Sequence, residues 1–201
     1  MNIYFFLDLA GTFVFAISGI RLASEKEMDI FGAVVISIAT AVGGGTIRDL
    51  LLGSTPVAWM QNPVYLYVII SAVVISLFFN RYIFELKNTL LIFDSIGLGI
   101  FTISGMQKAL EFGLSTEYAI ILGITTATAG GILRDILANE VPVILRKEIY
   151  ATACLIGAIL FLILDKIGLN KELNSILTVL LILIIRTLAV KFNISFPKIK
   201  A

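Results

Sequence analysis

Long apolar stretches separated by short polar links set the rhythm of this chain. Seven of them approach the ~20 residues that a membrane-crossing helix needs: roughly Ile3–Leu22, Ile30–Leu52, Pro63–Phe79, Thr89–Ala109, Tyr118–Ala138, Glu148–Leu164 and Leu173–Val190. Links such as Ala23–Asp29 and Asp165–Glu172 are too short to hold a soluble domain. The pattern predicts an all-α membrane protein with seven transmembrane helices, forming a single transmembrane domain over residues 1–201. The first apolar run has no basic segment before it and is long enough to span, so it reads as a retained helix rather than a cleaved signal.

The spans are not independent of one another. Sliding the chain by 86 residues sets Asp8–Val57 against Asp94–Val143 without a gap, and nineteen of the fifty positions are identical. Asp8, Gly11, Phe15, Ile17, Ser18 and Gly19 meet Asp94, Gly97, Phe101, Ile103, Ser104 and Gly105. Further along, Gly44, Gly45, Arg48, Asp49 and Pro56 meet Gly130, Gly131, Arg134, Asp135 and Pro142. Chance likeness between greasy helices does not align charges, glycines and prolines at one offset. Each unit holds three spans, an odd number, so the second must enter the membrane from the opposite side. The expected layout is two inverted three-helix repeats, about 3–80 and 89–165, with a seventh helix at about 173–190 outside the repeat.

Composition agrees with lipid as the solvent. Hydrophobic residues make up 59% and charged residues 14% of the 201, where a soluble domain is about half apolar and a quarter charged. The net charge of +1 gives no reason to expect nucleic acid as a partner. The chain has no histidine, which excludes histidine catalysis and histidine metal sites, and Cys154 is its only cysteine, which excludes an intrachain disulfide. In the links, Arg21, Lys26, Arg81, Lys87, Arg146, Lys147, Lys191, Lys198 and Lys200 lie on one side, and Lys108, Lys166 and Lys171 on the other. That bias predicts a cytoplasmic C-terminus and an outside N-terminus in the plasma membrane.

Candidate chemistry sits in the duplicated motif. Gly43, Gly44 and Gly45 lead to Arg48-Asp49 in the second span, and Gly130 and Gly131 lead to Arg134-Asp135 in the fifth. Glycines inside a helix cost about 1 kcal/mol each relative to alanine and permit kinks. A kink beside a water-filled path and close helix packing are both open readings, and the symmetry and the following charges favour the kink. An arginine or aspartate at a helix centre costs ~2.5–3.5 kcal/mol on insertion scales, so each needs a partner. Successive residues point about 100° apart, so Arg48 and Asp49 are expected to look to different helices. Depth suggests the pairs Asp8–Arg48 and Asp94–Arg134, one near each mouth; the alternative leaves Asp8 and Asp94 at the polar interface. Ser18 and Ser104 either line a water path or bond back to their own helices. Thr40 and Thr126 are weaker candidates for the lining. Pro56 and Pro142 read as helix terminators, and Trp59, Tyr65 and Tyr67 as interfacial anchors.

With the repeat and the Gly-Gly-x-x-Arg-Asp motif in view, the chain resembles the TRIC family of trimeric intracellular cation channels, in its prokaryotic branch. The resemblance covers essentially the whole chain. It implies a channel for monovalent cations, chiefly potassium, assembled as a homotrimer with one pore per subunit lined by the glycine-kinked second and fifth helices. The permeant ion would be K+ or Na+ with no cofactor, and membrane lipids would surround and bind the protein. Ala129 stands where a third glycine would complete the symmetry, so the second kink is expected to be milder. The Lys-Glu-Val signature of animal members is not recognisable, and their phosphoinositide site is not carried over. The family also bears a glycine-transporter label in bacteria, which keeps open a carrier for a small zwitterion such as glycine. An intramembrane aspartyl protease fits poorly, because Asp94 and Asp135 lack the flanking pattern expected of such a dyad and adjacent arginines would hold them ionised.

Overall fold

A computed structural model describes residues 3–79, 88–146 and 149–194 of the chain. Arg81, Lys87, Lys147, Glu148, Lys198 and Lys200, which figure in the sequence expectations, lie outside the described residues. The apolar runs form helices α1 (Ile3–Glu25), α2 (Ile30–Leu51), α3 (Ala58–Gln61), α4 (Val64–Phe78), α5 (Thr89–Glu111), α6 (Thr116–Leu137), α7 (Ala151–Lys166) and α8 (Lys171–Lys191). A 3₁₀ turn, Val143–Leu145, lies between α6 and α7. Described secondary structure is entirely helical.

Five helices, α1, α2, α5, α6 and α8, are long and apolar enough to cross a membrane. The other two expected spans are shorter. Helix α4 has 15 residues and α7 has 16, which at ~1.5 Å per residue leaves them short of a ~30 Å hydrocarbon core. The corresponding sequence stretches, Pro63–Phe79 and Glu148–Leu164, are themselves only 17 residues each.

The helices stop by one recurring device. At the ends of α1, α2, α5, α6, α7 and α8 the chain turns left-handed at Glu27, Gly53, Gly113, Asn139, Gly168 and Asn193. The next backbone N–H then reaches back to a carbonyl in the last turn, as in Ser54 N to Asp49 O and Glu140 N to Asp135 O, both 2.8 Å. This is the Schellman arrangement, which satisfies carbonyls that the helix leaves without partners. It corrects the expectation that Pro56 and Pro142 terminate their helices. The stops come earlier, at Gly53 and Asn139, because glycine and asparagine tolerate the positive φ that the turn requires. N-termini are capped more sparingly. Asp29 accepts from Gly32 N (2.7 Å), and Asn170 accepts from Glu172 N and Leu173 N.

Polarity is turned inside out. Large apolar side chains such as Phe31, Phe78, Leu51 and Ile163 are exposed, whereas Arg48, Arg134 and Arg186 are among the largest fully buried side chains. In water such a surface would be an association hazard; in lipid it is the solvated face. Helices α1, α2, α5 and α6 form the centre, α4 packs on α1 and α2, and α7 lies on α6 and α5. Helix α8, the one outside the repeat, packs against α5 and α7.

Candidate functional site

At the centre the two halves meet through reciprocal contacts. Phe15 of α1 and Phe101 of α5 lie with ring centroids 5.0 Å apart. Phe15 fills the space that a side chain at Gly97 would need, and Phe101 does the same at Gly11. A Cβ on Gly44 would overlap the Thr126 carbonyl oxygen, and one on Gly130 would overlap the Thr40 carbonyl oxygen. Residue i meeting j′ while j meets i′ is the mark of a two-fold relation between packed units. Both glycine runs continue as helix without interruption. What Gly44 and Gly130 do here is let two backbones touch.

Each motif arginine organises a buried network. Arg48 donates through Nε to Asp49 Oδ1 (2.8 Å) and through Nη1 to Asp8 Oδ1 (3.2 Å) and Ser104 Oγ (3.2 Å). Ser104 Oγ donates to Asp8 Oδ1 at 2.6 Å. Arg134 repeats the pattern. It donates to Asp135 Oδ1 (2.9 Å), to Asp94 Oδ1 (2.7 Å) and to Ser18 Oγ. The Asp8–Arg48 and Asp94–Arg134 ion pairs therefore both form across helices. Arg48, Asp49 and Arg134 do reach other helices, as expected; what the 100° spacing does not predict is the bond between adjacent Arg and Asp. An arginine side chain is long enough to curl over its neighbour, and its fork presents Nε and Nη1 to two carboxylates at once. The remaining oxygens of the motif aspartates are taken by backbone: Asp49 Oδ2 by Ala58 N (2.8 Å) and Asp135 Oδ2 by Val143 N (2.9 Å).

The serines do something that neither sequence reading offered. Each belongs to the network of the opposite half, Ser104 to that of Arg48 and Ser18 to that of Arg134. These bonds also fix direction. Asp8, near the start of α1, touches Ser104, near the end of α5, while Ser18, near the end of α1, shares Arg134 with Asp94, near the start of α5. Helices α1 and α5 are antiparallel. Thr40 and Thr126 bond to their own helices, at Ile36 O and Leu122 O, both 2.6 Å. Gly19 and Gly105 pack against those same threonines.

Four further residues enter the networks. Tyr65 is 6% exposed and donates to Asp8 Oδ2 at 2.7 Å, which corrects its reading as an interfacial anchor. Tyr150 OH lies 3.3 Å from Asp94 Oδ1. These tyrosines are 85 residues apart, so a one-residue shift past Pro56 and Pro142 would have paired them. Lys108 donates to Asp49 Oδ1 at 2.7 Å; the signal for it was a departure from the repeat, where Leu22 is the equivalent. Arg186 of α8 holds its guanidinium 4.7 Å from the Tyr150 ring centroid and donates to Ile149 O. A lone arginine inside an apolar span was its signal. Trp59 donates to Thr46 Oγ1 at 3.0 Å, and Tyr67 is exposed.

A cavity opens over each network. One of about 140 Å³ is lined by Asp8, Arg48, Ser104, Lys108 and Glu111. The other, of about 250 Å³, is lined by Glu25, Asp94, Arg134, Arg146 and Arg186. Near the second, Lys26 and Arg146 both bond Glu140, joining the α1–α2 and α6–α7 links and holding the Glu140 carboxyl below the usual carboxylate range. Among the described residues no group of acidic or thiol side chains is placed to hold a metal ion.

The tyrosines give an unequal prediction. Tyr65→Phe takes away the bond to Asp8 Oδ2, and a bond to a charged group is worth ~1.5–3 kcal/mol. Tyr150→Phe removes a longer bond to an oxygen that Arg134 already fills. Thermal unfolding in detergent is expected to show the larger loss for Tyr65→Phe; equal losses would contradict this account of the geometry.

The family described as Glycine transporter matches in two stretches, residues 5–81 and 91–166. The two begin 86 residues apart, at the offset of the sequence repeat. The chain is 41% identical to a UPF0126 membrane protein of Vibrio cholerae over 98% of its length and 82% of that protein's. It is 39% identical to the UPF0126 inner membrane protein YadS of Escherichia coli K12, covering 96% and 94%. Among solved structures, the TRIC trimeric intracellular cation channel orthologue from Rhodobacter sphaeroides superposes with a TM-score of 0.88 at 41% identity, covering 96% and 100% of the two chains.

Proposed function

Because this chain belongs to the TRIC family, in its prokaryotic branch, we propose that it is a potassium-permeable channel for monovalent cations, working as a homotrimer with one conduction path in each subunit. The protein is a membrane protein and not an enzyme. The observation that carries the proposal is the pair of cavities, each floored by a buried Arg–Asp network and separated by the tightly packed crossing of α1, α2, α5 and α6. The path runs from one cavity to the other between the glycine-bearing helices α2 and α6, which bend at Gly43–Gly45 and Gly130–Gly131 to open it. In the conformation described, Phe15, Phe101 and the glycine crossing close its middle. Asp8, Asp49, Asp94 and Asp135 offset Arg48, Arg134, Lys108 and Arg186, so the buried arginines do not by themselves make an anion path.

The membrane layout in this proposal is seven spans, with units of about 3–80 and 89–165 inverted about an axis in the membrane plane, and α8 added. Antiparallel α1 and α5 and the reciprocal contacts support it. The sequence bias of Arg21, Lys26, Arg81, Lys87, Arg146, Lys147, Lys191, Lys198 and Lys200 against Lys108, Lys166 and Lys171 supports an outside N-terminus and a cytoplasmic C-terminus. Potassium or sodium is the cargo, no cofactor is involved, and lipid covers the apolar exterior.

Planar-bilayer recording of the purified protein in asymmetric potassium chloride tests the proposal. Resolved unitary currents that reverse towards the potassium equilibrium potential are expected. A second reading, a carrier for a zwitterion such as glycine, is favoured by the family description and by the guanidinium and carboxylates in each network. Saturable uptake without unitary currents would replace the channel with that carrier.

A further inference from the structure

The two networks differ in one respect that the repeat throws into relief. Each has two carboxylates and one guanidinium, an excess of one negative charge. On one side, that excess is cancelled by direct ion pairing with a side chain reaching in from the mouth. Lys108 of α5 places its ammonium 2.7 Å from Asp49 Oδ1, an oxygen already shared with Arg48 Nε. The equivalent of Lys108 in the other half is Leu22, buried among Ile36 and Ala138. On that side Arg186 comes from α8 and is fixed by the Tyr150 ring and the Ile149 carbonyl.

Lys108 also has somewhere else to go. Its side chain is 24% exposed, whereas Asp49 is fully buried. Glu111 stands three residues further along α5, within the reach of same-face helix neighbours, and lines the same 140 Å³ cavity. Among the described residues Glu111 makes no ion pair. A flexible four-carbon stem lets the ammonium exchange one carboxylate for the other.

We propose that Lys108 is a tethered cation that occupies the place of the permeant alkali cation at this mouth. With Lys108 on Asp49, the network of Asp8, Asp49, Arg48 and Lys108 is neutral. When Lys108 swings to Glu111, the network returns to one excess negative charge beside a water-filled cavity, and a potassium ion replaces the ammonium. The lysine thereby sets how strongly cations enter from one side, while the network of Asp94, Asp135 and Arg134 on the other side has Arg186, held by Tyr150 and Ile149, as its neighbour. The inference rests on the channel reading of the site.

The test uses Lys108→Met, Lys108→Arg and the mirror variant Leu22→Lys, each purified as the intact assembly. In bilayer recordings Lys108→Met is expected to lower the half-saturating potassium concentration roughly three- to tenfold on the Lys108 side alone, in line with the loss of a screened unit charge. Lys108→Arg, which keeps the charge, is expected to match wild type. Leu22→Lys is expected to raise half-saturation on the opposite side. Thermal unfolding in potassium chloride against choline chloride at equal ionic strength supplies a readout that needs no conduction. There Lys108→Met gains a potassium-specific stabilisation that wild type lacks. If wild type gives no unitary currents, the channel reading fails while the unfolding comparison still decides whether the cation site exists. If currents are present but Lys108→Met leaves one-sided saturation unchanged, or if both proteins respond alike to potassium, the tethered-cation assignment is wrong.

Discussion

Replacing Arg134 by alanine is expected to destabilise the protein by ~3–5 kcal/mol, the range for breaking a buried ion pair by deleting one partner. Arg134 is 1% exposed and Asp94 2%, so the carboxylates left behind gain little water. Asp94 would keep the long bond from Tyr150, and Asp135 the backbone N–H of Val143. Arg48→Ala is expected to cost less. Its partner Asp8 borders an open cavity and keeps Tyr65 and Ser104, while Lys108 stays on Asp49. Thermal unfolding of the two variants in detergent measures the difference. Adding Asp94→Asn to Arg134→Ala should recover part of the loss, because it removes a charge that has lost its partner. A variant with Arg134→Ala that unfolds with wild type would show that the network does not hold the two halves together.

The second large effect is expected at the glycine crossing, and it is selective. Alanine at Gly44 or Gly130 sets a Cβ against a backbone carbonyl of the facing helix, and backbone cannot rotate away. Helices α2 and α6 must separate, a cost at or above the ~1–3 kcal/mol usual for overpacking. A Cβ added at Gly43 would come within 2.5 Å of Leu133 Cδ1, the far end of a side chain that can turn aside. Gly45 meets only Arg48 Nη2 at 3.5 Å, an ordinary contact. Gly45→Ala should therefore be tolerated and, by helix propensity, gain up to about 1 kcal/mol. The comparison separates two roles for the motif. If Gly45→Ala harms folding as much as Gly44→Ala, close packing is not what the glycines supply to the resting protein. If Gly45→Ala leaves stability intact but suppresses channel opening, bending is the role of Gly45.

Much of the site was legible because the membrane makes buried charge conspicuous. Asp8, Arg48, Asp94 and Arg134 had to find partners, and the repeat stated the same pairing twice. Tyr65 and Tyr150 escaped because the ungapped comparison ended at Val57 and Val143, one residue of shift short of them. The bond from Arg48 to Asp49 was misjudged by treating side-chain direction as side-chain reach. Ser18 and Ser104 were noticed, yet their partners lie in the opposite half, and no local pattern encodes a contact made by the crossing of two distant helices. The helix ends were misassigned for a similar reason. Proline is a visible stop, while the left-handed residues Gly53 and Asn139 act first. The short lengths of α4 and α7 are already visible in the sequence, where the stretches Pro63–Phe79 and Glu148–Leu164 hold 17 residues each.

The exchange of serines has a consequence for how the chain is made. Ser104 follows Arg48 by 56 positions, and Arg134 follows Ser18 by 116. When the ribosome has delivered only the first three apolar segments, Arg48 sits in the bilayer without its hydroxyl, and Ser18 waits for a guanidinium not yet synthesised. Neither half is a finished object, and the earlier-born one must be held open until its twin arrives.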